Sequence, residues 1–154
     1  MALSILLWGG LLLVALAALT WIDVRTYRLP DWLTLPLICA GLLQSWHLTG
    51  QVLAAAIGAI AGYTAFVAVE VSFRALRRKD GLGRGDAKLL AAGGAWCSWM
   101  GLPWIVMFAS TSGLLFAGIL MLLRRKSVDV LPFGPFLAFG IFLVWVARIL
   151  ACFP

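Results

Sequence analysis

Apolar runs dominate the chain, and polar positions punctuate them at intervals close to the length of a membrane helix. A helix needs roughly 20 apolar residues to cross a hydrocarbon core. Runs near that length fall at about Ala2–Ile22, Val52–Phe73, Pro103–Leu123 and Pro135–Phe153, with shorter ones at about Trp32–Leu48 and Ala87–Met100. The short pair suits tilted helices or helices that begin in the interface. The pattern predicts an all-α, polytopic membrane helical bundle of about six transmembrane helices, with residues 1–154 forming a single domain. Gly58 and Gly62, spaced G-x-x-x-G, and the small pair Gly113 and Ala117 mark faces where helices approach closely in lipid.

The polar interruptions are not symmetric. With six helices, three connections lie on one side, at about Asp23–Asp31, Arg74–Lys88 and Arg124–Gly134, and they hold every Lys and Arg except Arg148. The connections on the other side, around His47–Gln51 and Met100–Pro103, hold none. A four-helix arrangement would put basic clusters on both sides. The asymmetry therefore supports six helices, with the basic connections in the cytoplasm and both termini non-cytoplasmic. Arg148, near the end of the last helix, is expected to snorkel outward. His47 reads as an interface residue.

Composition agrees. The chain is 64% hydrophobic and 12% charged, with a mean hydropathy of +1.05. A soluble domain is about half apolar and about a quarter charged, so the implied partner is a lipid bilayer. The net charge of +6 sits in short clusters between apolar runs, not over a soluble surface, and so implies no nucleic acid. Met1–Ile22 lacks a basic n-region and outruns the roughly 7–15 apolar residues of a signal peptide's core, so it reads as a retained helix. Cys39, Cys97 and Cys152 lie singly in apolar segments, without the paired spacing of a zinc site.

The carboxylates carry the candidate chemistry. Asp80 and Asp129 sit in basic loops as solvated partners of Arg and Lys. Glu70 is spaced to pair with Arg74 at i,i+4. Asp31, following Pro30, reads as a cap for the second helix. Asp23 and Asp86 differ, because the topology puts both at the cytoplasmic rim, one at the end of the first helix and one at the start of the fourth. A carboxylate at a helix start also gains from the macrodipole, so Asp86 alone is equally well read as a cap. Gly81, Gly83 and Gly85 before it shift that balance, since a cap needs no glycine at three alternate positions. They suit a backbone against which an extended peptide can lie. Two carboxylates brought together share a proton, because like charges a few ångströms apart do not both ionise readily. One then activates water while the other donates to a scissile carbonyl. The rival chemistry is a divalent cation between them, for which few further oxygen ligands are at hand. Lys88 has three roles open to it: pairing with a carboxylate, pairing with a lipid phosphate, or tuning Asp86.

Three stretches resemble the bacterial prepilin leader peptidases, membrane aspartic proteases with a G-x-G-D motif. Gly83-Arg84-Gly85-Asp86, continuing through Ala87-Lys88-Leu89-Leu90, is similar to the motif around the family's second catalytic aspartate. Trp21-Ile22-Asp23 with Leu29-Pro30-Asp31 is similar to the stretch around the first, and Leu131-Pro132-Phe133-Gly134-Pro135 to the P-F-G-P segment before the last helix. The resemblance implies that Asp23 and Asp86 are the catalytic pair, with Gly83, Gly85, Lys88, Pro30 and Asp31 as motif or substrate-positioning residues and no cofactor. It implies prepilin or pseudopilin substrates of a type II secretion or type IV pilus system. These would be cut after a leader glycine at the cytoplasmic face of the inner membrane. Long family members carry an N-terminal domain with paired C-x-x-C motifs and N-methylate the product. This chain opens on an apolar helix, so peptidase activity is expected without methyltransferase activity or an S-adenosylmethionine site. Arg84 stands at the motif's variable position, and Ala87 where many relatives have a larger residue. The alternative is a non-proteolytic assembly factor or small transporter that retains the fold. A transporter, however, keeps its polar groups near the midplane, and here they cluster at one rim.

Overall fold

The computed structural model describes residues 2–77, 83–124 and 132–152, with the side chains of Arg74, Leu76, Arg77, Arg124 and Cys152 outside the description. Its helices are α1 (Ala2–Thr26), α2 (Asp31–Thr49), α3 (Val52–Arg77), α4 (Arg84–Arg124) and α5 (Gly134–Cys152). Among the described residues there is no strand.

α1 runs one turn past the expected end at Ile22, so Asp23 lies within its last turn. The Asp23 carbonyl accepts the N–H of Tyr27 at 2.8 Å, and Tyr27 ends the helix in the left-handed region at φ 52. A left-handed residue just past the last turn is a common helix stop. Pro30 then precedes α2 with φ −74, near the angle its ring imposes. Gly50 closes α2 at φ 68, a conformation glycine takes without steric cost.

α4 is 41 residues long. Straight, it would measure roughly 60 Å, about twice the hydrocarbon thickness. It is not straight. Ser98 has φ 60 and ψ 175, which breaks the helix. The contacts on either side show a reversal. Gly62 of α3 lies against both the Leu90 carbonyl and the Leu102 side chain, and Gly93 lies against Ile105. α4 is therefore a hairpin of two arms, 84–97 and 99–124. The turn comes a few residues before the expected connection at Met100–Pro103.

Cross-contacts set the remaining directions. Gly9 meets Trp145 while Asp23 meets Gly134, so α1 and α5 run antiparallel. Asp31 pairs with Lys88, and the Ser45 hydroxyl donates to the Ala95 carbonyl at 3.1 Å, so α2 runs parallel to the first arm of α4. Gly58 meets Gly94 and Gly62 meets Leu90, so α3 runs against that arm. Gly140 meets Ile105 and Gly113 meets Phe136, so the second arm runs against α5. Six segments alternate in direction. Asp23, Asp31 and Asp86 gather at one end, and Ser98, the start of α1 and the last turn of α5 at the other.

Four of the five helices, α1, α3, α4 and α5, are long and apolar enough to cross a membrane by length and composition. With this apolar bundle the protein is a multi-pass membrane protein. The outer faces agree: Leu114 and Leu122 are 76% and 82% exposed, a surface suited to acyl chains and costly in water. The core centres on Trp96, fully buried on the first arm of α4. Trp8 and Trp145 set their rings edge-on to it at 6.1 and 6.2 Å, and its indole N–H donates to the Leu37 carbonyl at 2.9 Å. Gly58 and Gly94 let α3 and this arm touch backbone to backbone. A Cβ on Gly94 would fall 2.1 Å from the Gly58 carbonyl oxygen. The G-x-x-x-G pair of α3 is thus a packing face, as its spacing suggests, while Gly113 receives the Phe136 ring.

Candidate active site

The two carboxylates singled out in the sequence lie at the same end of the bundle. Asp23 is 5% exposed in the last turn of α1. Its Oδ2 accepts the backbone N–H of Gly134 at 3.1 Å, in a buried hydrogen bond. Gly134 is the first residue of α5, and the Phe133 carbonyl before it accepts the helix's first bonds from Phe136 and Leu137. A helix start leaves N–H groups without intrahelical partners and carries partial positive charge. Asp23 satisfies one of those donors. A Cβ on Gly134 would fall 2.5 Å from Asp23 Oδ2, so any larger residue there would force the carboxylate to shift.

Asp86 stands in the first turn of α4 and is half-buried. Its own N–H donates to the Gly83 carbonyl at 3.0 Å, which tightens the helix start. The Asp23 carboxylate lies close enough for its charge to act on Asp86. Two helix N-termini, those of α4 and α5, therefore converge with two acidic side chains. The glycines before Asp86 separate in role. A Cβ on Gly85 would fall 2.9 Å from the Leu29 Cβ, so Gly85 permits the α1–α2 connection to pack against the start of α4. A Cβ on Gly83 would lie 3.8 Å from Asp86 Oδ2, an ordinary contact. Gly81 lies outside the described residues, as do Asp80 and Asp129.

Asp31 does not cap α2. The N-cap is Pro30, with no side-chain capping bond, and the Asp31 carboxylate instead pairs with Lys88 of the first arm of α4. The reason is geometric: Asp31 is the first helical residue, one position too late for its carboxylate to act as the N-cap acceptor. Of the roles open to Lys88, the structure selects pairing with a carboxylate. The pair ties the start of α2 to the segment that carries Asp86. Glu70, 6% exposed on α3, has Arg84 Nε at 3.9 Å from its Oε1, so the variable residue of the G-x-G-D motif reaches toward a neighbouring helix. The expected Glu70–Arg74 pair involves a side chain outside the described residues. Among the described residues, no three His, Cys, Asp or Glu side chains are grouped as a metal site requires.

Two features escaped the sequence reading. Gly134 was visible only as part of a Pro-Phe-Gly-Pro stretch, because a backbone N–H that receives a distant carboxylate leaves no side-chain signature. Leu29 stands in the Leu29-Pro30-Asp31 stretch, but nothing in that stretch shows that Gly85 packs against it.

The pattern of the type IV leader peptidase family matches residues 10–118 of the chain. The chain is 42% identical over 135 residues to a prepilin leader peptidase/N-methyltransferase of Escherichia coli (strain K12), covering 84% of this chain and 60% of the relative. It is 46% identical over 132 residues to a protein of the same name from Burkholderia pseudomallei (strain K96243), covering 84% and 42%. It is 43% identical over 132 residues to leader peptidase HopD of Escherichia coli, covering 84% and 85%. The chain thus spans about half the length of the first two relatives and most of the third. No solved structure matches it.

Proposed function

Because the chain belongs to the type IV leader peptidase family, we propose that it is a membrane-embedded aspartic endopeptidase that removes the basic leader from prepilins or pseudopilins. Asp23 and Asp86 are its catalytic pair. The observation that carries this reading is that both carboxylates, distant in the sequence, lie at the same end of an apolar bundle. Like charges at close range disfavour double ionisation, so the pair holds one proton between them. The ionised member takes a proton from water, and the water oxygen attacks the scissile carbonyl carbon. The protonated member donates to the carbonyl oxygen. Collapse of the tetrahedral adduct breaks the C–N bond, and a proton passes to the leaving amine.

The Gly134 N–H orients Asp23, and the short helix start at Gly83–Asp86 orients its partner. The Asp31–Lys88 pair holds the second helix against this frame. By the charge rule the basic connections favour a cytoplasmic position for this end, with the six segments packed within the inner membrane and both termini toward the far side. A substrate whose leader joins an apolar helix at the cytoplasmic rim can then present its scissile bond while its stem stays in lipid. The setting is a type II secretion or type IV pilus system.

The test is to mix the purified protein, in mild detergent, with a prepilin and read the pilin mass. Loss of the leader, with cleavage after its glycine, is the expected result. A protein inert on every pilin offered would instead favour an assembly factor that keeps the fold.

A further inference from the structure

The end of the bundle opposite the aspartates holds a cavity of about 710 Å³, within the roughly 300–1,000 Å³ of ordinary ligand sites. It is walled by Trp104 and Phe108 on the second arm of α4 and by Leu143 and Val144 on α5, with Ser98 and Arg148 at its polar side. We propose that this cavity binds an anionic phospholipid, its headgroup held by Arg148 and an acyl chain lying along the apolar wall.

Three observations lead there. First, the hairpin is short. From Asp86 to Ser98 the first arm rises roughly 18 Å, against roughly 30 Å of hydrocarbon. The turn at Ser98 therefore stops below the far surface and leaves a recess. Second, Arg148 turns into that recess instead of snorkelling outward as expected. Its Nη1 donates at 3.2 Å to the carbonyl of Trp96, two residues before the break at Ser98. That bond explains the inward turn, but it does not neutralise the charge. An arginine within a membrane segment is costly and ordinarily has a counter-charge. Among the described residues no carboxylate pairs with it, since Asp23, Asp31, Glu70 and Asp86 all belong to the other end. Third, Ser98 is buried in a backbone region that is essentially glycine's own. Such strain persists only where the surroundings over-determine it, and it holds the turn open beside the guanidinium. A phosphodiester supplies the missing charge and the bidentate geometry a guanidinium favours. The apolar wall suits the chain attached to it. This site does not depend on the peptidase reading.

The test is thermal unfolding of the full chain in detergent, titrated with phosphatidylglycerol, phosphatidylethanolamine or inorganic phosphate. The basic connections at the aspartate end also attract anionic lipid, so two variants separate the sites. Arg148→Gln removes the charge, and Ala147→Trp fills the cavity while keeping it. Phosphatidylglycerol is expected to raise the wild-type Tm well above the gain from phosphatidylethanolamine, and each variant is expected to lose at least half of that difference. If Arg148→Gln does not fold, Ala147→Trp decides. Equal gains from the two lipids, an undiminished gain in Ala147→Trp, or the same gain from inorganic phosphate would each overturn the proposal.

Discussion

The two ends of the bundle solve one problem with opposite charges. At one end, helices start. The N–H of Gly134 opens α5 and is met by the Asp23 carboxylate, while Asp86 occupies the first turn of α4. At the other end, a helix stops at Ser98, and the Trp96 carbonyl is met by the Arg148 guanidinium. In each case a charge answers the partial charge of a helix terminus. The difference lies in what remains afterwards. The aspartate end holds two carboxyl groups, a composition that suits the proton chemistry proposed for it. The far end leaves one cation beside an apolar recess, an arrangement that favours binding. Glycine use is also reversed. Gly134 is a glycine whose added Cβ would push the Asp23 carboxylate aside, whereas Ser98 is a larger residue in a glycine's conformation.

Removing the charge at the aspartate end gives the largest expected effect. Asp86→Asn should lower the prepilin cleavage rate by several orders of magnitude and leave the Tm in detergent nearly unchanged; a large loss of Tm would mean that Asp86 is structural. Gly134→Ala comes next. Its Cβ would displace the Asp23 carboxylate, and a displacement of about 1 Å can cost about 100-fold in rate. An unaltered rate would show that the Gly134 contact does not position Asp23. Arg148→Gln at the far end should show up mainly in stability, by about 1.5–3 kcal/mol for a hydrogen bond to a charged group, read from denaturation in detergent. Ser98→Gly should stabilise by about 1 kcal/mol, the relief of left-handed strain set against glycine's extra unfolded-state entropy. If it destabilises, the strain argument at this turn fails. Smallest is Asp31→Asn. Its pair with Lys88 is mostly solvent-exposed on the Asp31 side, and such pairs contribute under about 1 kcal/mol.

The same comparison shows what the sequence could reveal. Hydropathy located each helical segment, because in a bilayer apolar length is the dominant constraint. The uneven distribution of Lys and Arg put Asp23 and Asp86 at one end before any contact was known. What escaped was local backbone geometry. α1 continues past Ile22 because helix termination depends on Tyr27 turning left-handed, not on the apolar run ending. The hairpin turns at Ser98, ahead of Gly101 and Pro103, although those are the residues that ordinarily signal a turn. Arg148 faces inward because its guanidinium donates to the Trp96 carbonyl, 52 positions away in the chain. Asp31 looked like a cap by its place after Pro30, but Lys88 competes for its carboxylate from another helix. Each of these depends on a group distant in sequence, and periodicity reports only on near neighbours.

The central claim is that Asp23 and Asp86 act as one unit. Its most direct test is the prepilin cleavage rate of wild type, Asp23→Asn, Asp86→Asn and the double variant, each shown to be folded by its unfolding transition. Either single substitution is expected to abolish cleavage to the level of the double variant, since residues that work as a unit are strongly non-additive. A single variant that keeps a rate within about tenfold of wild type, where loss of a positioned acid or base costs about 10²–10⁴, would contradict it.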